Sequence, residues 1–130
     1  FVQVACMYQD QQGYIWSGGY GGLSRFDGKV FLNYNRRDGL IDHNVNAITC
    51  DLKGTIFVGT NKGLSMLKNK KISSIPEFPG RYKNPVITSL CRGAQHSVYI
   101  GTPRGLYIWK NHLIQPVQGL KNHHINFLFR

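Results

Sequence analysis

Basic, amide and imidazole side chains gather in three polar segments of the 130-residue chain. The first carries Arg36, Arg37, Asp42, His43 and Asn44, and the second Arg81, Tyr82, Lys83 and Asn84. The third carries Lys121, Asn122, His123 and His124, while Tyr20, Asn61, Lys62 and Arg104 follow short apolar runs. Such groups recognise a ligand rather than react with it. Arginine pairs bidentately with carboxylate or sulfate, and an aromatic ring covers the apolar face of a sugar. Solvated polar loops give the same pattern, and Asn44 reads equally well as a turn residue.

Reactive chemistry is harder to place. His43, His123 and His124 invite a metal reading, yet no Cys, Asp or Glu recurs beside them to complete a tetrahedral set. No metal and no cofactor are therefore expected. The six acidic residues are scattered, and no Ser-His-Asp or Cys-His arrangement can be assembled, so the segment is not expected to be an enzyme. The run Gly18-Gly-Tyr-Gly-Gly22 joins two strands and lacks the helix start and Lys-Ser/Thr of a phosphate loop. Cys6, Cys50 and Cys91 lack metal-ligand spacing and read as small buried hydrophobes. A Cys50–Cys91 bridge is disfavoured because the two residues fall one place apart in the repeat, on opposite faces of similar strands.

The formal charge of +10 and isoelectric point near 9.8 create a field that attracts polyanions such as nucleic acid, anionic lipid or acidic polysaccharide. A basic surface without a dedicated partner is the competing reading. Nucleic acid is not expected, because no stacked aromatic and basic recognition surface is visible. No apolar run reaches the ~20 residues of a membrane helix, and no signal peptide is seen. The missing initiator Met points to an absent natural N-terminus.

What must position the polar segments is a repeat. Tyr14-Ile-Trp-Ser-Gly-Gly-Tyr-Gly-Gly-Leu23 returns as Thr55-Ile-Phe-Val-Gly-Thr-Asn-Lys-Gly-Leu64 and Ser97-Val-Tyr-Ile-Gly-Thr-Pro-Arg-Gly-Leu106, at offsets of 41 and 42 residues. Repeats of about 40–50 residues built from short β-branched and aromatic runs are the mark of propeller blades. The fold class expected is all-β: a β-propeller fragment of about three four-stranded antiparallel blades plus the first strand of a fourth. The boundaries read as 1–38, 39–80, 81–118 and 119–130. Trp16, Phe57 and Tyr99 share one repeat position and are expected to fill the space between blades. Helices are expected to be nearly absent, since no stretch sustains helical periodicity.

The phrases from Asn44 to Leu64 and from Asp10 to Asp27 resemble the two-component regulator propeller repeat, roughly N-x-V-x-x-I-x-x-D-x-x-G-x-L-W-I-G-T-x-x-G-L-x-R-Y/F-D. The resemblance covers almost the whole chain, three times in register. Ser17-Gly-Gly19 departs from the apolar-Gly-Thr of the pattern. Arg92-Gly-Ala-Gln-His96 stands where an Asp-x-x-Gly turn is expected. The resemblance implies a periplasmic, membrane-anchored sensor region of a Bacteroidetes-type hybrid two-component system. In that family two seven-bladed propellers and a small β-sandwich precede a membrane helix, histidine kinase, receiver and DNA-binding domain. It implies oligosaccharide as ligand, and the rest of the propeller, a kinase and a homodimer as partners.

Propeller topology sorts the loops by face. Loops between second and third strands, and loops between blades, share one face. It would carry Tyr20, Arg36, Arg37, His43, Asn44, Asn61, Lys62, Arg81, Tyr82, Lys83, Asn84, Arg104, His123 and His124 as candidate ligand contacts, suited to an acidic sugar. An equally basic run, Lys68-Asn-Lys-Lys71, falls on the opposite face. The alternatives are a propeller enzyme such as a lyase, and a protein-interaction scaffold.

Overall fold

The computed structural model describes residues 3–121. Blade one consists of β1 (Gln3–Gln9), β2 (Ile15–Tyr20), β3 (Gly22–Phe26) and β4 (Phe31–Tyr34). Blade two consists of β5 (Val45–Cys50), β6 (Ile56–Thr60), β7 (Gly63–Lys68) and β8 (Lys71–Ile75). A small hairpin, β9 (Glu77–Phe78) and β10 (Tyr82–Lys83), leads to blade three: β11 (Ser89–Arg92), β12 (Val98–Thr102), β13 (Gly105–Lys110) and β14 (Leu113–Lys121). Each blade is an antiparallel sheet whose strand order follows the chain. The first strands of successive blades lie against one another, β1 on β5 and β5 on β11, which places them on the inner side of the arc. The all-β propeller architecture expected from the repeats is the one observed. Among the described residues the helical structure is one short 3-10 turn, Arg36–Asp38, and no helix is long and apolar enough to cross a membrane.

Two departures have local causes. The first strand of blade three begins at Ser89 rather than at Ile87, because the Ile87 amide is spent across the blade boundary on the Thr60 carbonyl (2.8 Å). Strand β14 runs on to Lys121, so residues 119–121 extend blade three; the rest of the expected fourth-blade start, 122–130, lies outside the described residues.

The core lies between blades. Trp16, Leu23 and Tyr34 of blade one pack with Val45, Ile48, Cys50, Ile56, Val58 and Leu67 of blade two. Phe57 and Leu64 of blade two pack with Ile87, Val98, Ile100, Tyr107 and Trp109 of blade three, and the Phe57 and Trp109 rings meet edge-on at 4.9 Å. Trp16 and Phe57 therefore do fill inter-blade space; Tyr99, at the same repeat position, is half-buried. Close approach requires a residue without a side chain at Gly59, where a Cβ would lie 2.8 Å from the Cβ of Ile87.

Turns explain the other repeated letters. Asp51 is buried, and its Oδ1 accepts from the amides of Lys53 (2.9 Å) and Thr55 (3.0 Å). Asp10 does the same for Gln12 and Tyr14 and adds the Trp16 Nε1–H at 2.8 Å, tying the turn to the core. Blade three lacks the aspartate, yet the Gly93 amide still reaches the Ser97 carbonyl at 2.8 Å. Gln95 and His96 make the turn with φ of 56° and 63°. In the Gly-Thr pair, Thr60 Oγ1 donates to the Gly63 carbonyl (2.8 Å) and accepts from the Lys62 amide (3.1 Å), and Thr102 repeats this with Gly105 and Arg104.

Candidate functional site

The loop face predicted to carry ligand contacts is held together by backbone bonds that cross from blade to blade. The β2–β3 loop presents Tyr20, and the Gly21 amide donates to the His43 carbonyl at 3.0 Å. Tyr20 is 65% exposed, and its ring meets the His43 imidazole edge-on at 5.1 Å. His43 in turn lies 3.7 Å from buried Asp42, whose second oxygen accepts from the Asn44 amide at 3.2 Å. The Asn61 amide donates to the Asn44 carbonyl at 3.3 Å. Tyr20, His43, Asn44 and Asn61 thus form one continuous edge spanning blades one and two.

Asn46 extends that edge to blade three, and sequence reasoning passed over it. Its Nδ2 donates to Asn61 Oδ1 at 2.7 Å and to the Ile87 carbonyl at 3.0 Å. The pairing of β5 with β6 slips between Val45 and Ala47, so Asn46 is the extra residue of a β-bulge. A bulge re-aims its side chain away from the pleat. One signal was available: the Asn-Val-Asn spacing of 44–46 has a counterpart in Asn126, two residues after His124.

The remaining candidates lie apart. Arg36 and Arg37 are exposed on the 3-10 turn after the outermost strand, where Asn35 and Asp38 close a capping box. Arg81, Lys83 and Asn84 are exposed on the β9–β10 hairpin. Tyr82, expected on the rim, is buried against Phe78 and Tyr107, and the Arg104 guanidinium covers its ring at 4.3 Å. Burial, with Tyr82 beside it, pushes the Tyr107 phenol above its ordinary range. Lys62 is exposed beside Asn61. His123 and His124 lie outside the described residues. The continuous edge is accordingly built from neutral amides, one phenol and one imidazole, with the cationic Lys62 beside it and the arginines outside it. Amides offer donors and acceptors to hydroxyls, and the Tyr20 ring offers an apolar face.

Two grooves open among the described residues of the opposite face. One, of about 410 Å³ between blades one and two, is lined by Gln11, Tyr14, Arg25, Lys53, Lys68 and Lys70 among others. Arg25 stacks over the Tyr14 ring at 4.5 Å there. The other, of about 520 Å³ between blades two and three, includes Lys53, Met66, Lys68, Lys71, Ile72 and Trp109. The lysines of 68–71 mark this face in the sequence; the grooves between blades do not show there.

The blade architecture has counterparts among known proteins. Residues 1–21 match the family model described as two component regulator propeller. No curated protein matches the chain. Among solved structures, the extracellular domain of BT3049 from B. thetaiotaomicron, named for a hybrid two-component system, superposes with a TM-score of 0.76. It is 20% identical over 91% of this chain and 17% of that one. The extracellular domain of BT4673 from the same organism, named for a one-component system, gives a TM-score of 0.54 at 20% identity over 95% and 24%. A catalytically inactive virginiamycin B lyase from Staphylococcus aureus, solved with quinupristin, gives 0.70 at 15% identity over 92% and 43%. The chain spans less than half the length of each. It has the fold of a β-propeller arc, and its residues 1–21 are similar to a two-component regulator propeller repeat.

Proposed function

We propose that the chain is part of the ligand-sensing propeller of a two-component sensor outside the cytoplasm, and that it binds oligosaccharide without turning it over. The observation that carries this reading is the edge of Tyr20, His43, Asn44, Asn46 and Asn61, which links three blades through hydrogen bonds. A ligand lying along it would contact loops of successive blades together. It would then favour one relative placement of them, and differential affinity for two placements is all a sensor has to supply. The rest of the propeller, a kinase and a second copy of the protein are the partners this role calls for.

The amides of the edge make hydroxyl recognition its main chemistry. Arg36, Arg37 and Arg104, being outside it, would add long-range attraction for acidic sugars rather than direct contacts. Calorimetric titration of the intact natural polypeptide with neutral and acidic oligosaccharide panels tests the proposal. Binding lost on Asn61→Ala and Tyr20→Ala, with Arg36→Ala unaffected, is the expected result. No binding across both panels, or binding indifferent to Tyr20, Asn46 and Asn61, overturns it; release of a cleaved product overturns the non-catalytic part.

A further inference from the structure

We propose that the groove between blades two and three, on the face opposite the Tyr20–Asn61 edge, binds a small organic anion that carries an apolar ring, an aryl carboxylate or aryl sulfonate. The groove's volume of about 520 Å³ lies within the range of small-molecule sites, roughly 300–1,000 Å³. Met66, Ile72 and Trp109 supply its apolar lining. Trp109 is locked in place by Phe57 at 4.9 Å and His112 at 5.5 Å.

Three lysines converge on it. Lys53 comes from the β5–β6 turn, while Lys68 and Lys71 face each other directly across the β7–β8 hairpin. Like charges opposite one another in an antiparallel pair are destabilising. Blade one has Phe26 and Phe31 at the equivalent closing pair, and blade three has Lys110 and Leu113. Only Lys110 of those is cationic, and it donates to Gln95 at 3.1 Å. Blade two is the one that concentrates positive charge beside an apolar floor.

Among the described residues no carboxylate forms an ion pair with these lysines. The single acidic residue lining the groove, Asp51, is 1% exposed, with its Oδ1 committed to the amides of Lys53 and Thr55. The only ion pair among the described residues joins His43 to Asp42. An anionic headgroup seated between Lys53, Lys68 and Lys71 would gain charge-assisted hydrogen bonds. Its ring would remove the exposed parts of Met66 and Ile72 from water. His96 and Asn111, from the turns of blade three, close the far wall and offer further polar contacts.

The intact natural polypeptide, titrated calorimetrically with naphthalene sulfonate, naphthoate, neutral naphthol and inorganic sulfate, tests this. Either naphthyl anion binding more tightly than both naphthol and sulfate supports it, and the ratio of the two identifies the headgroup. The exposed double variant Lys68→Gln/Lys71→Gln, with its circular dichroism spectrum unchanged, is expected to weaken the anion about tenfold or more. Tyr20→Ala should leave it unaffected, which separates this groove from the oligosaccharide edge. Naphthol binding as well as the anions, sulfate alone binding as well, full affinity in the double variant, or no binding at all would each overturn it.

Discussion

Gly59 and Ile87 meet where blade two passes to blade three, so closely that a Cβ on the glycine would stand 2.8 Å from that of the isoleucine. Gly18 stands in the same relation to Val45 at the preceding boundary. At both boundaries a β-branched side chain at or just before the start of the inner strand fits over the backbone of the blade before it. Gly59→Ala should therefore cost about 1–3 kcal/mol by overpacking. Urea unfolding should show a lower midpoint with an unchanged slope. A variant as stable as the parent would mean that the blades can slide apart without penalty.

Asp51 supports a different prediction. Its buried carboxylate satisfies two turn amides, and Asp51→Ala strands both. A loss on the order of 1–3 kcal/mol is expected for a buried donor left unpaired. Hydrogen exchange should quicken at the Lys53 and Thr55 amides first. Unchanged protection there would show that water replaces the carboxylate at no cost.

Thr60→Val keeps shape and removes the hydroxyl that closes the β6–β7 turn, so it should lower stability by about 1–2 kcal/mol. Thr102→Val should behave alike, since Thr102 makes the matching pair of bonds. Two clearly unequal losses in thermal melts would argue against a shared role.

Cys6 ties stability to alkaline pH. Burial pushes its thiol from 9.0 up to about 11, against a smaller opposing pull from a backbone hydrogen bond of Gly18. The folded chain holds this proton more tightly than the unfolded chain. The contribution is therefore complete below pH 9 and is lost as pH rises from 9 to about 11. Denaturation midpoints of the parent and Cys6→Ala across that window should show a parent-minus-variant difference that shrinks with pH. A difference that stays flat or grows contradicts the assignment.

The blade plan is legible in the sequence because each repeated letter has a local physical job. Asp51 anchors a turn a few residues away, Thr60 closes the next one, and β-branched and aromatic runs mark the strands between. Even where blade three departs from the pattern at Gly93, the flanking strands pair as they do elsewhere, since Gln95 and His96 make a tight turn without the aspartate. The candidate ligand face was legible only as a list of polar residues. Tyr82 belongs to it by sequence and to the core by packing, because the β9–β10 hairpin folds its ring onto Phe78 and Tyr107.

The sequence by itself determined the four-strand plan of each blade, its antiparallel order and the places of Trp16 and Phe57 between blades, because these follow from spacing and turn chemistry within about forty residues. Tertiary structure alone decided that Tyr20 meets His43, that the bulged Asn46 bridges Asn61 and Ile87, and that three lysines share a groove with Trp109. Those contacts join residues from different strands or blades. Their geometry depends on a one-residue slip in register and on how closely one sheet packs against the next.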